Sequence, residues 1–196
     1  MTQTLPQTLP KTLIVHGLDG SPAPHWQHWW AATDPTAILV DLPQPDAPDR
    51  LQWQIELAGM ILRHPNCILV GHSLGAVLIA QVLAGWPQLA VKGALLVAPA
   101  EPHLSPRIAG FGAIPNQRMD VPMTLVASRN DPWMCYSRAE TVAAQLGADL
   151  VDAGYAGHIN VASGFGPWPY GKALRDALRA QTQIFPTPIH EQRLAL

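Results

Sequence analysis

The chain has 196 residues, of which 48% are hydrophobic and 13% are charged, and this length suits one domain with a single core. The formal net charge of −2 gives no basic surface of the kind that binds nucleic acid. No apolar run reaches the roughly 18 residues that span a bilayer, and the N-terminal sequence MTQTLPQTLPK has neither the basic nor the apolar region of a secretory signal, so we expect a cytoplasmic protein without nucleic-acid or membrane partners.

Short apolar runs alternate with longer helical stretches from Lys11 onward. Six strands are predicted, at Leu13–His16, Ile38–Asp41, Cys67–Gly71, Ala94–Ala98, Met123–Ser128 and Asp149–Asp152. Most of them are continuously apolar, which is typical of strands buried on both faces. Five helices are predicted, at His25–Ala32, Leu51–His64, Leu74–Gly85, Tyr136–Gly147 and Gly171–Gln181. This alternation predicts an α/β fold, with a parallel sheet and helices on both of its faces.

Three of the predicted helices differ in their apolar pattern. In the second helix the apolar residues that follow a helical period are Leu51, Ile55, Ala58, Ile61 and Leu62. The third helix is apolar nearly all round, so we expect it to be the most buried. The last helix carries Leu174 and Leu178 on one face.

No linker or shift in composition divides the chain. We expect a flexible lead at residues 1–10, one domain at 11–183 and a peripheral tail at 184–196. The two cysteines, Cys67 and Cys135, are too few for a disulfide framework, and Cys67 is predicted to be a small core residue.

A serine lies where the third predicted strand meets the third helix, in the segment CILVGHSLGAVLIA. Reactive groups of parallel sheets lie beyond the carboxyl ends of the strands. The pattern G-x-S-x-G at such a junction is the nucleophile elbow, in which the glycines permit a sharp turn and the serine oxygen projects above the sheet. The pattern therefore predicts Ser73 as a nucleophile, and the alternative is an ordinary strand–helix turn.

A serine hydroxyl needs a base to take its proton and an acid to orient that base, and in this fold the acid and then the base follow the serine along the chain. Asp131 comes in the loop after the fifth strand, where its carboxylate can point over the sheet. One alternative is that Asp131 only caps the next helix, since Asp-Pro is a common helix start. Glu101, after the fourth strand, is the rival acid.

His158 follows the sixth strand and is preceded by a glycine, so it can reach back to the serine. We predict that His158 deprotonates Ser73 and later protonates the leaving group, while Asp131 fixes its tautomer. Among the competing histidines, His72 lies inside the elbow, but its side chain should project away from that of the serine.

A pair of histidines near the N-terminus raises the question of a metal. His25 and His28 are three residues apart, but no third ligand is evident, so no metal and no cofactor are expected.

Acyl transfer builds a negative oxygen that needs two preorganised N–H donors. One donor follows from the elbow and is the amide of Leu74, directly after the serine. The other is predicted in the loop after the first strand, HGLDGS, where we assign the amide of Leu18, with Gly17 as the alternative.

These residues resemble the α/β-hydrolase superfamily, and more closely the small YdeN-like and retinoblastoma-binding-protein-nine-like serine hydrolases. The markers are His16-Gly17, Ser21-Pro22, His25-Trp26 with Trp29, Leu42-Pro43-Gln44-Pro45 with Trp53, GHSLG, Ser128-Arg129-Asn130-Asp131, Gly157-His158 and GFGPWPYG at 164–171. The resemblance implies a compact three-layer α/β-hydrolase sandwich, with a six-stranded parallel sheet in the order 2-1-3-4-5-6 and no large cap domain. It also supports Ser73, Asp131 and His158 as a catalytic triad.

Five tryptophans follow strand ends on the predicted catalytic side. Trp26 and Trp133 are expected to line a substrate pocket. Trp29, Trp30 and Trp168 are expected to pack helices onto the sheet.

The leading prediction is a cofactor-independent serine hydrolase that acts through an acyl-enzyme intermediate on small carboxylic esters. The alternatives are a protein-interaction module that keeps the hydrolase fold, and a peptidase or thioesterase that acts on amides or thioesters. The natural substrate and the oligomeric state do not follow from the sequence, because specificity lies in loops.

Overall fold

A six-stranded parallel sheet forms the centre of the molecule, which is described by a computed structural model over residues 9–181. The strands are β1 (Thr12–Val15), β2 (Ala37–Leu39), β3 (Cys67–His72), β4 (Val91–Val97), β5 (Met123–Ala127) and β6 (Asp149–Asp152). Their order in the sheet is β2-β1-β3-β4-β5-β6, and every pair is parallel, so the predicted topology is confirmed. The predicted lead at 1–10 lies mostly, and the predicted tail at 184–196 entirely, outside the described residues.

Within residues 9–181, five α-helices cover the sheet, and three short 3₁₀ helices lie in its loops. The α-helices are α1 (Trp26–Thr33), α2 (Arg50–Arg63), α3 (Leu74–Gly85), α4 (Tyr136–Leu146) and α5 (Pro169–Gln181). The 3₁₀ helices are Pro102–Leu104, Ala109–Phe111 and Val161–Ser163. The region predicted to lack a large cap, between β4 and β5, holds two of these 3₁₀ helices and no α-helix. No helix between residues 9 and 181 has the length and apolar character needed to span a bilayer.

Two apolar cores lie on opposite faces of the sheet and make three layers. In β1, Leu13 and Val15 pack on the side of α2, α3 and α4, whereas Ile14 packs on the side of α1 and α5. Side chains of a strand alternate between faces, so a strand covered on both sides must be apolar at every position. This is why β1, β3 and β5 are continuously buried and read as unbroken apolar runs.

Helix α3 is the most deeply buried helix, as predicted. All ten residues from Leu74 to Leu83 are buried. A helix apolar all round must lie against neighbours on all sides, and α3 packs between the sheet and α2.

The predicted apolar face of α2 is right for Ile61, which is buried, and wrong for Leu51, Ile55 and Leu62. The helix buries Trp53, Leu57 and Ile61, whereas Leu51 and Ile55 are more than half exposed. Leu62 is likewise exposed. The helix carries apolar residues on two faces, and the face with tryptophan removes the larger area from water. The Trp53 ring contributes further by packing edge-on against Phe111 and by donating from Nε1 to the carbonyl oxygen of Pro43 over 2.7 Å.

The start of α3 touches the end of β1 backbone to backbone. A Cβ atom added to Gly75 would overlap the carbonyl oxygens of Val15 and His16. Because both of these are backbone atoms, no side-chain rotation can relieve the overlap. Gly75 therefore sets how closely the β1 and β3 strand ends approach each other above the sheet.

A buried ionic network lies beside the amino end of β1. Arg175 of α5 is 2% exposed, and it donates to Asp34 over 2.7 Å and to the Thr12 hydroxyl over 2.7 Å. Burial alone would raise the pKa of the Asp34 carboxyl, but hydrogen bonds from Arg175 and Thr36 outweigh it and hold this pKa well below its usual value. The apolar pattern of α5 predicted Leu178 correctly as buried, but not the arginine that lies beside it.

Gly75→Ala is expected to reduce the free energy of unfolding by about 3 kcal/mol or more, because the added methyl group overlaps fixed backbone oxygens. Gly85→Ala, at the other end of α3, is the matched control, since an added Cβ meets nothing within 4 Å there. The control should change stability by less than about 1 kcal/mol. Urea denaturation of both variants measures the difference, and equal stabilities would contradict the packing argument.

Asp34→Asn is expected to lower stability at pH 7 by about 3 kcal/mol, because Arg175 is then buried without its carboxylate. Since the folded-state pKa of Asp34 lies below the unfolded value, the contribution is complete above about pH 4 and is lost as the pH falls through the folded value. Stability below pH 4 should therefore fall less steeply in the variant. Asp176→Asn removes an exposed partner of the same arginine and should cost under about 1 kcal/mol. Two equally destabilised variants would rule out the buried pair as the cause.

Candidate active site

Ser73 stands at the junction of β3 and α3 in a strained backbone conformation. Its φ is 56° and its ψ is −121°, a region that costs free energy for any residue with a Cβ. Neighbouring elements hold this conformation, since the Ser73 amide donates to Val97 of β4 and the Ser73 carbonyl accepts from Ala76 and Val77. The strain turns the chain sharply enough to lift the side chain above the end of the sheet.

The side chains of Ser73, His158 and Asp131 form one chain of hydrogen bonds. Nε2 of His158 lies 2.9 Å from the Ser73 hydroxyl oxygen, and Nδ1 lies 2.9 and 3.0 Å from the two carboxylate oxygens of Asp131. An ionised carboxylate only accepts, so Nδ1 carries the proton and Nε2 is free to accept the serine proton. All three side chains are buried. The structure thus brings together the three residues that the sequence predicted as a triad.

Neither alternative for the acid has the corresponding contacts. Asp131 does not cap α4, because Cys135 occupies the cap position, and the Asp131 carboxylate accepts instead from the amide of Trp133 over 2.8 Å. Glu101 pairs with Arg138 and, over 3.3 Å, with His103. Its carboxylate is therefore engaged by side chains other than His158.

The loop that carries His158, residues 153–160, is called the β6 loop. Two polar side chains that follow β5 hold its first half. The hydroxyl of Ser128 accepts from the amide of Ala156 over 3.0 Å, and Asn130 accepts from the amide of Gly157 over 2.8 Å. Sequence reasoning missed both residues as functional candidates. The available signal was the run Ser128-Arg129-Asn130-Asp131, since short polar side chains directly after a strand commonly bind nearby backbone.

The backbone after β1 lies directly against the elbow. A Cβ atom on Gly17 would come within 2.9 Å of the Ser73 Cβ and 3.3 Å of the Leu74 amide nitrogen. Among the hydrogen bonds formed within residues 9–181, none uses the amide of Leu18 or of Leu74. Two unused N–H donors thus belong to segments that meet beside the serine, and their role as an anion-stabilising pair stays a prediction.

A cavity of about 450 Å³ opens over Ser73 and His158. Most of its remaining lining is apolar, with Leu18, Pro22, Pro24, Ala100, Ile108, Trp133 and Val161 among the wall residues. Trp133, which the sequence predicts as a pocket residue, lies on this wall, and so does Leu18, whose amide is predicted as an oxyanion donor.

Trp26 does not line this cavity, so the sequence expectation for it needs correction. Its ring has no exposed surface and packs edge-on against Trp30 and Trp168. Its indole Nε1 donates to the carbonyl oxygen of Ile159 over 2.9 Å. Trp26 is held away from the cavity because α1 lies with this face against the sheet.

Two further histidines lie beside His158. Burial, reinforced by the nearby His158, lowers the pKa of His25 to about 4 and lowers that of His72 well below its usual value. Both rings are therefore neutral near pH 7. His25 caps α1 by accepting from the Gln27 amide, and His72 donates from Nε2 to the carbonyl oxygen of His158 over 2.8 Å. In the part of the chain that the structure describes, no three His, Cys, Asp or Glu side chains are grouped as metal ligands.

Comparison with known proteins agrees with this architecture. A model of the serine hydrolase family matches residues 12–177. A structure described as that of a YdeN-like hydrolase from Pectobacterium atrosepticum SCRI1043 is 34% identical, covers 89% of this chain and 92% of its own, and has a TM-score of 0.80.

Two more distant structures share the fold. The ydeN gene product of Bacillus subtilis is 24% identical over 89% of this chain and 100% of its own, with a TM-score of 0.72. Est1E from Butyrivibrio proteoclasticus, solved with ferulic acid bound, is 13% identical over 91% of this chain and 90% of its own, with a TM-score of 0.67. No curated protein matches the chain. The family match spans most of the sequence, and the chain therefore belongs to the serine hydrolase family.

Proposed function

We propose that this protein hydrolyses small carboxylic esters, with Ser73 as the nucleophile, His158 as the general base and acid, and Asp131 as the residue that orients the imidazole. The observation that carries the proposal is the unbroken hydrogen-bond chain from the Asp131 carboxylate through His158 to the Ser73 hydroxyl. Its position at the base of a cavity leaves the serine oxygen beside space for a substrate.

In the first half of the reaction, the Ser73 oxygen attacks the ester carbonyl carbon while its proton passes to Nε2 of His158. The carbonyl oxygen becomes negative and accepts hydrogen bonds from the amides of Leu18 and Leu74. When the carbon–oxygen bond to the alcohol breaks, His158 returns the proton to the leaving alcohol. An acyl group then remains on Ser73.

In the second half, a water molecule attacks the acyl carbon and gives its proton to His158. The bond between the acyl carbon and the serine oxygen breaks, His158 returns the proton to Ser73, and the carboxylic acid leaves. Whenever His158 carries the extra proton, its imidazolium faces the Asp131 carboxylate, while the neighbouring rings of His25 and His72 are neutral and add no opposing positive charge.

The character of the cavity supports a small neutral substrate. The described residues that line it include no lysine or arginine, so no cation is placed to recognise an anionic acyl group. The one carboxylate on its wall, that of Asp19, is paired with Arg107 through two hydrogen bonds. Apolar walls and a volume of about 450 Å³ suit short or branched acyl groups and a modest alcohol.

Ser73→Ala is expected to abolish labelling by a fluorophosphonate probe and to reduce p-nitrophenyl acetate turnover by at least about 10⁴-fold, because the nucleophile is gone. Ser137→Ala removes an exposed hydroxyl near the start of α4 and is the matched control, which should keep both properties. Circular dichroism checks that both variants fold. Labelling that persists in the Ser73 variant would place the nucleophile elsewhere, and wild-type protein with no turnover above the Ser73 variant would favour the interaction module.

A further inference from the structure

Two consecutive carbonyl groups of the β6 loop are held by buried ring N–H donors. Nε2 of His72 donates to the carbonyl oxygen of His158 over 2.8 Å, and Nε1 of Trp26 donates to that of Ile159 over 2.9 Å. We propose that His72 and Trp26 are positioning residues, which fix the β6 loop so that the imidazole of His158 stays within reach of Ser73. This inference rests on the proposed function, although part of its test does not.

Ser128, Asn130 and Ser163 bind amide groups of the β6 loop, whereas the carbonyl oxygens of His158 and Ile159 are bound within residues 9–181 only by the rings of His72 and Trp26. The β6 loop follows β6, which is one of the two edge strands of the sheet and is paired on one side only. Ile159 has a φ of 48°, which a β-branched residue rarely adopts, and such strain persists only where surrounding groups hold it. The indole of Trp26 binds the carbonyl of this same strained residue. Removing that donor leaves the peptide after Ile159 free to rotate towards an unstrained conformation.

The two donors come from elements that do not depend on the β6 loop for their own position. His72 is the last residue of the central strand β3 and immediately precedes Ser73, and Trp26 is the first residue of α1. His72 therefore ties the backbone of the base to the backbone of the nucleophile. The ring centroids of His72 and His158 are 4.9 Å apart, so the His72 ring also limits movement of the His158 ring in its direction.

Both donors are buried away from water, which makes the bonds hard to replace. His72 is 5% exposed and Trp26 has no exposed surface. If the loop moved, each ring N–H and each carbonyl would have to find another partner inside the protein. Displacement of a catalytic group by about 1 Å can cost about 100-fold in rate, so these bonds bear directly on turnover.

Variants of two similar tryptophans distinguish a role in positioning the β6 loop from a role in packing. Trp30 lies one turn after Trp26 on α1, is equally buried and belongs to the same ring cluster, but its Nε1 has no hydrogen-bond partner among the described residues. Trp26→Phe and Trp30→Phe therefore remove similar volume, and only the first removes a bond to the β6 loop. His72→Met and His72→Gln form a second pair of similar length, in which only glutamine keeps a donor near the position of Nε2.

The experiment compares these variants by steady-state hydrolysis of p-nitrophenyl acetate and by hydrogen exchange of the peptide that spans the β6 loop. Trp26→Phe should lower kcat by about 10- to 100-fold with KM within about twofold, since Trp26 does not line the cavity. His72→Met should lower kcat by a similar factor, and because His72 lines the cavity, only kcat is compared for this variant. They should also raise amide exchange in residues 156–160. Trp30→Phe should keep kcat and the amide exchange rate within twofold of the wild-type values. His72→Gln should have a kcat at least about tenfold higher than that of His72→Met.

Equal effects of Trp26→Phe and Trp30→Phe on kcat, or unchanged exchange of the β6 loop in Trp26→Phe, would overturn the proposal. If His72→Met does not fold, the tryptophan pair still decides the question. If the wild-type protein neither reacts with a fluorophosphonate nor turns over the ester, the proposed function fails. The difference in hydrogen exchange of the β6 loop between Trp26→Phe and Trp30→Phe then still tests whether the Trp26 hydrogen bond holds this loop.

Discussion

The contact between the start of α3 and the end of β1 is the constraint on which the rest of the site depends. The backbone of Gly75 lies so close to the carbonyl oxygens of Val15 and His16 that no Cβ fits between them. This approach brings the segment after β1 against the elbow, where the amides of Leu18 and Leu74 belong to adjoining turns. Gln27 of α1 reinforces the contact, since its buried amide donates to the same Val15 carbonyl and accepts from Ser21 in the loop after β1. The proposed oxyanion donors are thus fixed by the packing of three elements and not by the loop alone.

The proposed base is held in a different way, by hydrogen bonds to a loop at the edge of the sheet. Ser128 and Asn130 bind the first half of the β6 loop, and His72 and Trp26 bind the carbonyls that follow. The bonds of His72 and Trp26 join buried ring N–H groups to backbone. Such bonds specify one conformation because their loss leaves buried groups unsatisfied. The proposed nucleophile is therefore positioned by backbone packing at the sheet centre, and the proposed base by side chains from neighbouring strand ends and from the start of α1.

The sequence was sufficient for the parts of the structure that local pattern determines. Continuous apolar runs located the six strands to within about three residues, and the elbow motif with the loops after β5 and β6 identified the three residues that meet. It was insufficient where two local patterns compete or where a partner is distant. Helix α2 carries apolar residues on two faces, and only tertiary packing selects the face of Trp53. Trp26 follows a strand end as a pocket residue would, but its partner Ile159 is 133 residues away.

The buried groups at the amino ends of the strands differ in charge from those at the carboxyl ends. At the amino ends of the strands, Arg175 donates to the carboxylates of Asp34 and Asp176 and to the Thr12 hydroxyl. Its permanent charge is therefore compensated, and it ties α5 to β1 and to the end of α1. At the carboxyl ends, burial keeps His25 and His72 neutral, and the Asp131 carboxylate is the charge placed against His158. In the proposed reaction a positive charge appears on His158 for part of each cycle. A second cation beside it would oppose that step, because like charges at short distance in a dry site repel strongly. The neutral rings of His25 and His72, which form hydrogen bonds without adding charge, are therefore suited to the carboxyl ends of the strands. A permanently charged arginine such as Arg175 is suited only to the amino ends.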